Sequence, residues 1–126
     1  MTDVTEVQRA LERVKCGPKT KMGDWVKMLV TKKRGEYINF FFCSSDKFDS
    51  GGNGFAFDIG FGPVGDEVLK IPKINTEVGR LRDSYVYHFP IKVPPNTTIS
   101  VRGLADVGSP FAYVAVYVGI CDENDW

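Results

Sequence analysis

One histidine, three cysteines and no long apolar run restrict what this 126-residue chain can do. Nucleophilic or acid–base catalysis draws on a converging nucleophile and base. Here the single histidine, His88, sits in an alternating stretch between Tyr87 and Phe89, and no Gly-x-Ser-x-Gly elbow accompanies it. No catalytic residue is assigned, the expectation is a protein that is not an enzyme, and His88 is read as a surface or structural side chain. Cys16, Cys43 and Cys121 are odd in number and lack short paired spacing, which suggests neither a disulfide framework nor a zinc site and leaves free thiols in a reducing compartment as the reading. Cys43 and Cys121 are expected at strand ends as buried, inert thiols. No segment approaches the roughly 18 apolar residues of a membrane helix, and no basic start leads into an apolar run. The expectation is a soluble protein made in a cytoplasm, without cofactor or metal, and with no membrane partner.

The length fits one domain that buries roughly two thirds of its unfolded surface. Formal net charge is +0, but the charge is uneven. Residues 1–35 hold Arg9, Arg13, Lys15, Lys19, Lys21, Lys27, Lys32, Lys33 and Arg34 against four acids, a balance of +5 that leaves −5 on the remainder. A basic segment on an acidic body suits nucleic acid, an acidic protein surface or a neighbouring copy, and equally a solvated surface with no partner. The acidic body would repel a phosphate backbone, so nucleic acid is not expected as a partner.

In the first fifteen residues Val4, Val7, Leu11 and Val14 recur at helical spacing, and Thr5 with Gln8 or Asp3 with Glu6 reads as a capping box. This predicts a helix over 3–15, stopped by Gly17 and Pro18, within an N-terminal arm of residues 1–22. Beyond Gly23 the pattern turns to short β-type runs between turn signals. They are Trp25–Val30, Glu36–Cys43 (forming a hairpin with the first across Lys32-Lys33-Arg34-Gly35), Phe55–Gly60, Glu67–Ile71, Ser84–Val93, Thr97–Arg102 and Phe111–Gly119. Pro72 cannot donate to a ladder and belongs at an edge or strand end. About eight strands without βαβ alternation predict an all-β, jelly-roll-like antiparallel β-sandwich over 23–120, with a closed barrel as the alternative. Residues 121–126 are expected as a solvated acidic tail, with Trp126 as a candidate anchor in a neighbour's pocket.

Two weak motifs are set aside. Asp46, Asp49 and Asn53 lack the ligand rhythm of a calcium loop. Gly60, Gly62 and Gly65 match GxGxxG, but no helix follows to present amides to a phosphate, so they are read as turn glycines. Tyr37, Phe41, Tyr85, Tyr87, Tyr113 and Tyr117 are assigned to strand faces opposite the core.

Four spaced elements carry a resemblance: G-D-W-V-K-M-L-V (23–30), E-Y-I-N-F-F-F (36–42), D-I-G-F-G-P-V-G-D-E-V-L-K-I-P (58–72) and F-P-I-K-V-P-P-N-T-T-I-S-V-R (89–102). Their order through about residues 23–119 resembles small tailed-phage virion proteins, which show a W-V strand, an aspartate-isoleucine-glycine strand, a strand ending in I-P and an F-P-x-x-I-P-x-G-T-x-I-x-x-R element. This chain departs from the last at Pro94-Pro95-Asn96-Thr97, where Asn tolerates the left-handed conformation that Gly would supply. The resemblance implies a β-sandwich accessory protein of the virion, made in the host cytoplasm. The leading expectation is a capsid decoration or cement protein that binds the major capsid protein or other virion proteins as a homo-oligomer, a trimer. The alternatives are a tail, neck or head-fibre component or a carbohydrate-binding module. Candidate partner-binding residues are Val4, Val7, Arg9, Leu11, Arg13, Lys15, Lys19, Lys21, Lys32, Lys33, Arg34 and Trp126.

Overall fold

A computed structural model describes residues 8–18, 20–45, 53–78, 85–105 and 110–119. Its strands are β1 (Arg9–Lys15), β2 (Val26–Val30), β3 (Tyr37–Ser45), β4 (Asn53–Phe61), β5 (Val68–Val78), β6 (Tyr85–Phe89), β7 (Thr98–Ala105) and β8 (Phe111–Gly119). They form two four-stranded sheets in the orders β1-β8-β3-β6 and β2-β7-β4-β5. Every strand pair is antiparallel. The pairs β1–β8, β2–β7, β3–β6 and β4–β5 are those of one long folded-back ribbon, and β3–β8 and β4–β7 zip that ribbon into sheets when it rolls up. That wrapping gives the jelly roll its name, and it meets the expected sandwich rather than the closed barrel.

Alternation decides which side chains enter the core. Ile38, Phe40 and Phe42 on β3 and Val114, Val116 and Val118 on β8 face Phe55, Phe57 and Ile59 on β4 and Ile99 and Val101 on β7. Aromatic rings join the two layers, with Phe40 5.2 Å from Phe57 and Phe42 5.1 Å from Phe55, centroid to centroid. Full burial of rings this size contributes up to about 3 kcal/mol each, the largest single terms in the core.

The helix expected over 3–15 is not formed where the structure describes this segment. Arg9–Lys15 is a strand paired with β8 in unbroken register from Arg9↔Tyr117 to Lys15↔Phe111. Residues three apart share a helix face but lie on opposite faces of a strand. Leu11 is accordingly 62% exposed while Val14 is fully buried. A three-turn helix is marginal in water, whereas β8 offers this segment an entire ladder of hydrogen bonds. Gln8, expected to cap the helix, is buried, and its Oε1 accepts the Lys32 and Lys33 N–H groups at 2.8 and 2.9 Å. Val4 and Val7 lie outside the described residues.

The expected hairpin of residues 25–43 is also absent, since β2 pairs with β7 and β3 with β6 and β8. The basic connection Lys32-Lys33-Arg34 instead crosses from one sheet to the other, as the rolled ribbon requires. Pro72 falls within β5, the edge strand, beside the register shifts where β4 passes from Phe57 to Ile59 and Gly60. Its neighbour Lys73 has φ 53°. Asn96 has φ 59°, so it takes the conformation expected of it in the Pro94-Pro95-Asn96 turn.

Candidate functional site

The outer face of the β1-β8-β3-β6 sheet collects aromatic, apolar and cationic side chains in rows. Arg9, Tyr117, Asn39 and His88 are cross-strand neighbours in one row; Leu11, Ala115, Phe41 and Val86 form the next. Arg13, Tyr113 and Ser44 follow. Leu11, Val86 and Tyr113 are 62%, 55% and 38% exposed, large values for apolar or aromatic groups in the middle of strands. No Asp or Glu occurs among these residues.

Local contacts hold the face in shape. Arg9 Nη1 donates to the Tyr117 hydroxyl at 2.7 Å, with the guanidinium 5.6 Å from the ring centre. The Arg13 guanidinium lies 4.2 Å from the Phe111 ring centre, a cation–π contact that keeps the charge on the face. Phe41 and Tyr117 pack at 5.4 Å. His88 Nδ1 is 2.7 Å from Asn39 Oδ1, and its ring packs on Tyr37 at 4.8 Å.

Several expected partner-binding residues converge here. Arg9, Leu11, Arg13 and Lys15 line the outward side of β1, on a strand rather than a helix. Lys32 and Lys33 adjoin the start of β1 through their backbone bonds to Gln8. Arg13, Lys15 and Lys21 line a groove of about 520 Å³ with Phe111, Gly17, Gly23 and Asp24. Arg34 turns aside to Glu36 at 3.0 Å, a surface ion pair of small energetic value. Lys19 and Trp126 lie outside the described residues, as do Asp46, Asp49 and Cys121, while only the backbone of Asn53 and Tyr85 is described.

Some inward and outward assignments are corrected. Tyr37, Phe41, Tyr113 and Tyr117 lie on the outer face as expected, but Tyr87 packs against the core and its hydroxyl donates to the Asn75 carbonyl at 2.6 Å. Tyr87 is cross-strand from Phe40, so it shares the inward side. Cys43 is exposed rather than buried, at the bulge between Phe42 and Ser44; partial desolvation still pushes its thiol up. Cys16, not assigned a place from the sequence, is the buried thiol. His88 takes the surface place expected of it, while the exposed Val86 beside Phe41 and the pairing of His88 with Asn39 were missed, because they depend on how β6 registers with β3.

The opposite sheet's outer face explains the sequence elements that carry the resemblance. Asp58 on β4 and Arg102 on β7 are register partners, and Arg102 Nε donates to Asp58 Oδ2 at 2.9 Å. The other carboxylate oxygen accepts the Lys73 N–H at 2.9 Å, just after Pro72. The Arg102 guanidinium stacks 4.3 Å from the Trp25 ring centre. That ring rests on Gly60, where a Cβ would come within 2.8 Å of it. Gly60 is therefore not a turn glycine but a strand residue whose missing side chain seats Trp25; Gly62 and Gly65, with φ 128° and 96°, do form the turn. Gly60→Ala is expected to lower stability by about 1–3 kcal/mol through overpacking. Urea unfolding checks this, and an unchanged midpoint would show that the ring is not seated there.

No protein-family model matches the sequence, and no curated protein matches it. Among solved structures, the chain is similar to one in "Structure of infectious bursal disease virus Gx strain", with a TM-score of 0.38 and 11% identity over 88% of this chain. The match covers 32% of that chain, so this chain spans about a third of its length. A likeness this loose assigns neither fold nor role.

Proposed function

We propose that this chain is a structural protein of a tailed-phage virion, a decoration or cement protein bound outside the head as an oligomer, with a trimer over the shell's local threefold positions as the simplest arrangement. The observation that carries the reading is the face of the β1-β8-β3-β6 sheet, acid-free among the described residues, where Arg9 and Arg13 flank exposed Leu11, and Tyr113 lies beside Arg13. Exposed apolar groups bordered along β1 by cations suit a protein partner with acidic patches. The sequence resemblance supports placing that partner on a phage particle. Its spaced elements also supply a shared structural unit, because Trp25, Asp58, Gly60 and Arg102 come from three of them and meet in one stack.

In this reading the β1-β8-β3-β6 face lies against the shell and the β2-β7-β4-β5 sheet points outward, and the protein performs no catalysis. Mass spectrometry of gradient-purified virions from a phage carrying this gene should find the chain in many copies, and immunogold label should decorate heads. Absence from the particles would contradict the proposal. Label confined to tails would replace it with the tail or fibre reading, and specific glycan-array binding by protein absent from particles would favour the carbohydrate module.

A further inference from the structure

We propose that the outer edge of β1, with which no described strand pairs, is a docking strand for an acidic, extended segment of the partner protein, which adds as a fifth strand to the β1-β8-β3-β6 sheet. The inference rests on the attachment reading above and names the partner's chemistry.

Hydrogen-bond phase identifies the open groups. The Val118 N–H donates to the Gln8 carbonyl at 2.7 Å, and the Cys16 N–H donates to the Pro110 carbonyl at 2.9 Å. Both bonds continue the register that pairs Arg9 with Tyr117. In an antiparallel ladder, alternate residues turn their N–H and C=O toward the neighbouring strand. Ala10, Glu12 and Val14 therefore bond toward β8, while Arg9, Leu11 and Arg13 direct their backbone groups away from the sheet. At Lys15 the edge closes, because Gly23 backs its carbonyl so closely that a Cβ there would clash.

The other sheet edges are blunted. β5 carries Pro72, the left-handed Lys73 and register shifts. β2 is five residues long and bulges between Lys27 and Leu29, and β6 is also five residues long. β1 runs seven residues without proline, glycine or bulge. Among the described residues its edge protection is charge, with Arg9, Arg13 and Lys15 on the outer side and Glu12 on the other, a device by which proteins refuse unwanted strands. Charge also selects: a second copy of β1 would set arginine against arginine, whereas carboxylates would meet guanidiniums already held at the face by Tyr117 and Phe111. A strand with acid-x-apolar-x-acid spacing would place its acids beside Arg9 and Arg13 and its apolar residue beside Leu11. That motif reads alike in parallel and antiparallel orientation, and main-chain bonds would supply affinity as in other strand additions.

The test uses the full-length protein with a fluorescein-labelled peptide, Ser-Glu-Thr-Val-Thr-Glu-Ser, and its counterpart with lysine in place of glutamate. Anisotropy should show the glutamate peptide binding at least tenfold more tightly, and its addition should slow amide exchange at Leu11 and Arg13. Leu11→Pro removes an edge N–H without touching a β8 bond and should cut binding at least tenfold. Arg9→Glu with Arg13→Glu should reverse the peptide preference. Equal binding of both peptides, or unchanged exchange at Leu11 in the wild-type protein, overturns the proposal. So does full binding by folded Leu11→Pro, which would assign recognition to side chains alone. Protein found on virions that binds neither peptide would leave the attachment reading standing and remove strand addition; protein absent from virions that binds the acidic peptide would do the reverse.

Discussion

Asp58→Ala is expected to destabilise the protein by about 3 kcal/mol, near the lower end for breaking a buried ion pair because Arg102 retains some access to water. The carboxylate joins β4 to β7 through Arg102 and to the β5 bulge through the Lys73 N–H. Its loss leaves a guanidinium without its counter-charge and a strained strand residue without its acceptor. Asp58→Asn keeps the shape and an oxygen for Lys73, so it should cost less, about 1–2 kcal/mol. Urea denaturation of both variants checks the ranking. Equal stability of Asp58→Ala and the parent would show that the stack of Trp25, Arg102 and Asp58 does not hold the sheet.

Reversing the charge of β1 with Arg9→Glu and Arg13→Glu is expected to reduce attachment to the particle at least tenfold, about 1.4 kcal/mol or more of binding energy. Both side chains are exposed, and losing the Arg9–Tyr117 bond and the Arg13–Phe111 contact should lower global stability by about 1–2 kcal/mol, leaving the protein folded. Lys70→Glu with Lys92→Glu makes the same change in net charge away from this face and should leave attachment intact. Reconstitution of particles lacking the protein, followed by sedimentation, measures both. An equal loss from the two double variants would make attachment a matter of net charge rather than of this face.

Strand positions were legible in the sequence where alternation was strong. Val114, Val116 and Val118 against Tyr113, Ala115 and Tyr117 fixed both the existence of β8 and its two sides. Pro72 marked an edge and Asn96 a left-handed turn, each because its backbone chemistry leaves few alternatives. The first strand was misread because Leu11 and Val14 fit a helical stripe, and nothing local reveals that β8 needs a partner on its open side. The hairpin of residues 25–43 failed for a related reason, since a short basic turn does not disclose that its flanking strands belong to different sheets. Gly60 likewise looked like a turn residue beside Gly62, although its function is to seat a Trp25 ring thirty-five positions away in sequence.

The basic residues near the N-terminus were visible as a charge excess, but their arrangement required the fold. A helix would have kept Arg9 and Arg13 together but turned Leu11 and Lys15 to the opposite side; the strand sets all four on one side, next to Tyr117, Tyr113 and Phe111. The candidate site thus depends on a tertiary pairing between the beginning and the end of the chain.

A cryo-EM reconstruction of the virion tests the central claim most directly. The account predicts copies of this jelly roll on the head with the β1-β8-β3-β6 sheet turned to the shell and an acidic segment of the shell protein running alongside Arg9–Arg13. Copies seated through the β2-β7-β4-β5 sheet, with β1 open to solvent, would contradict it.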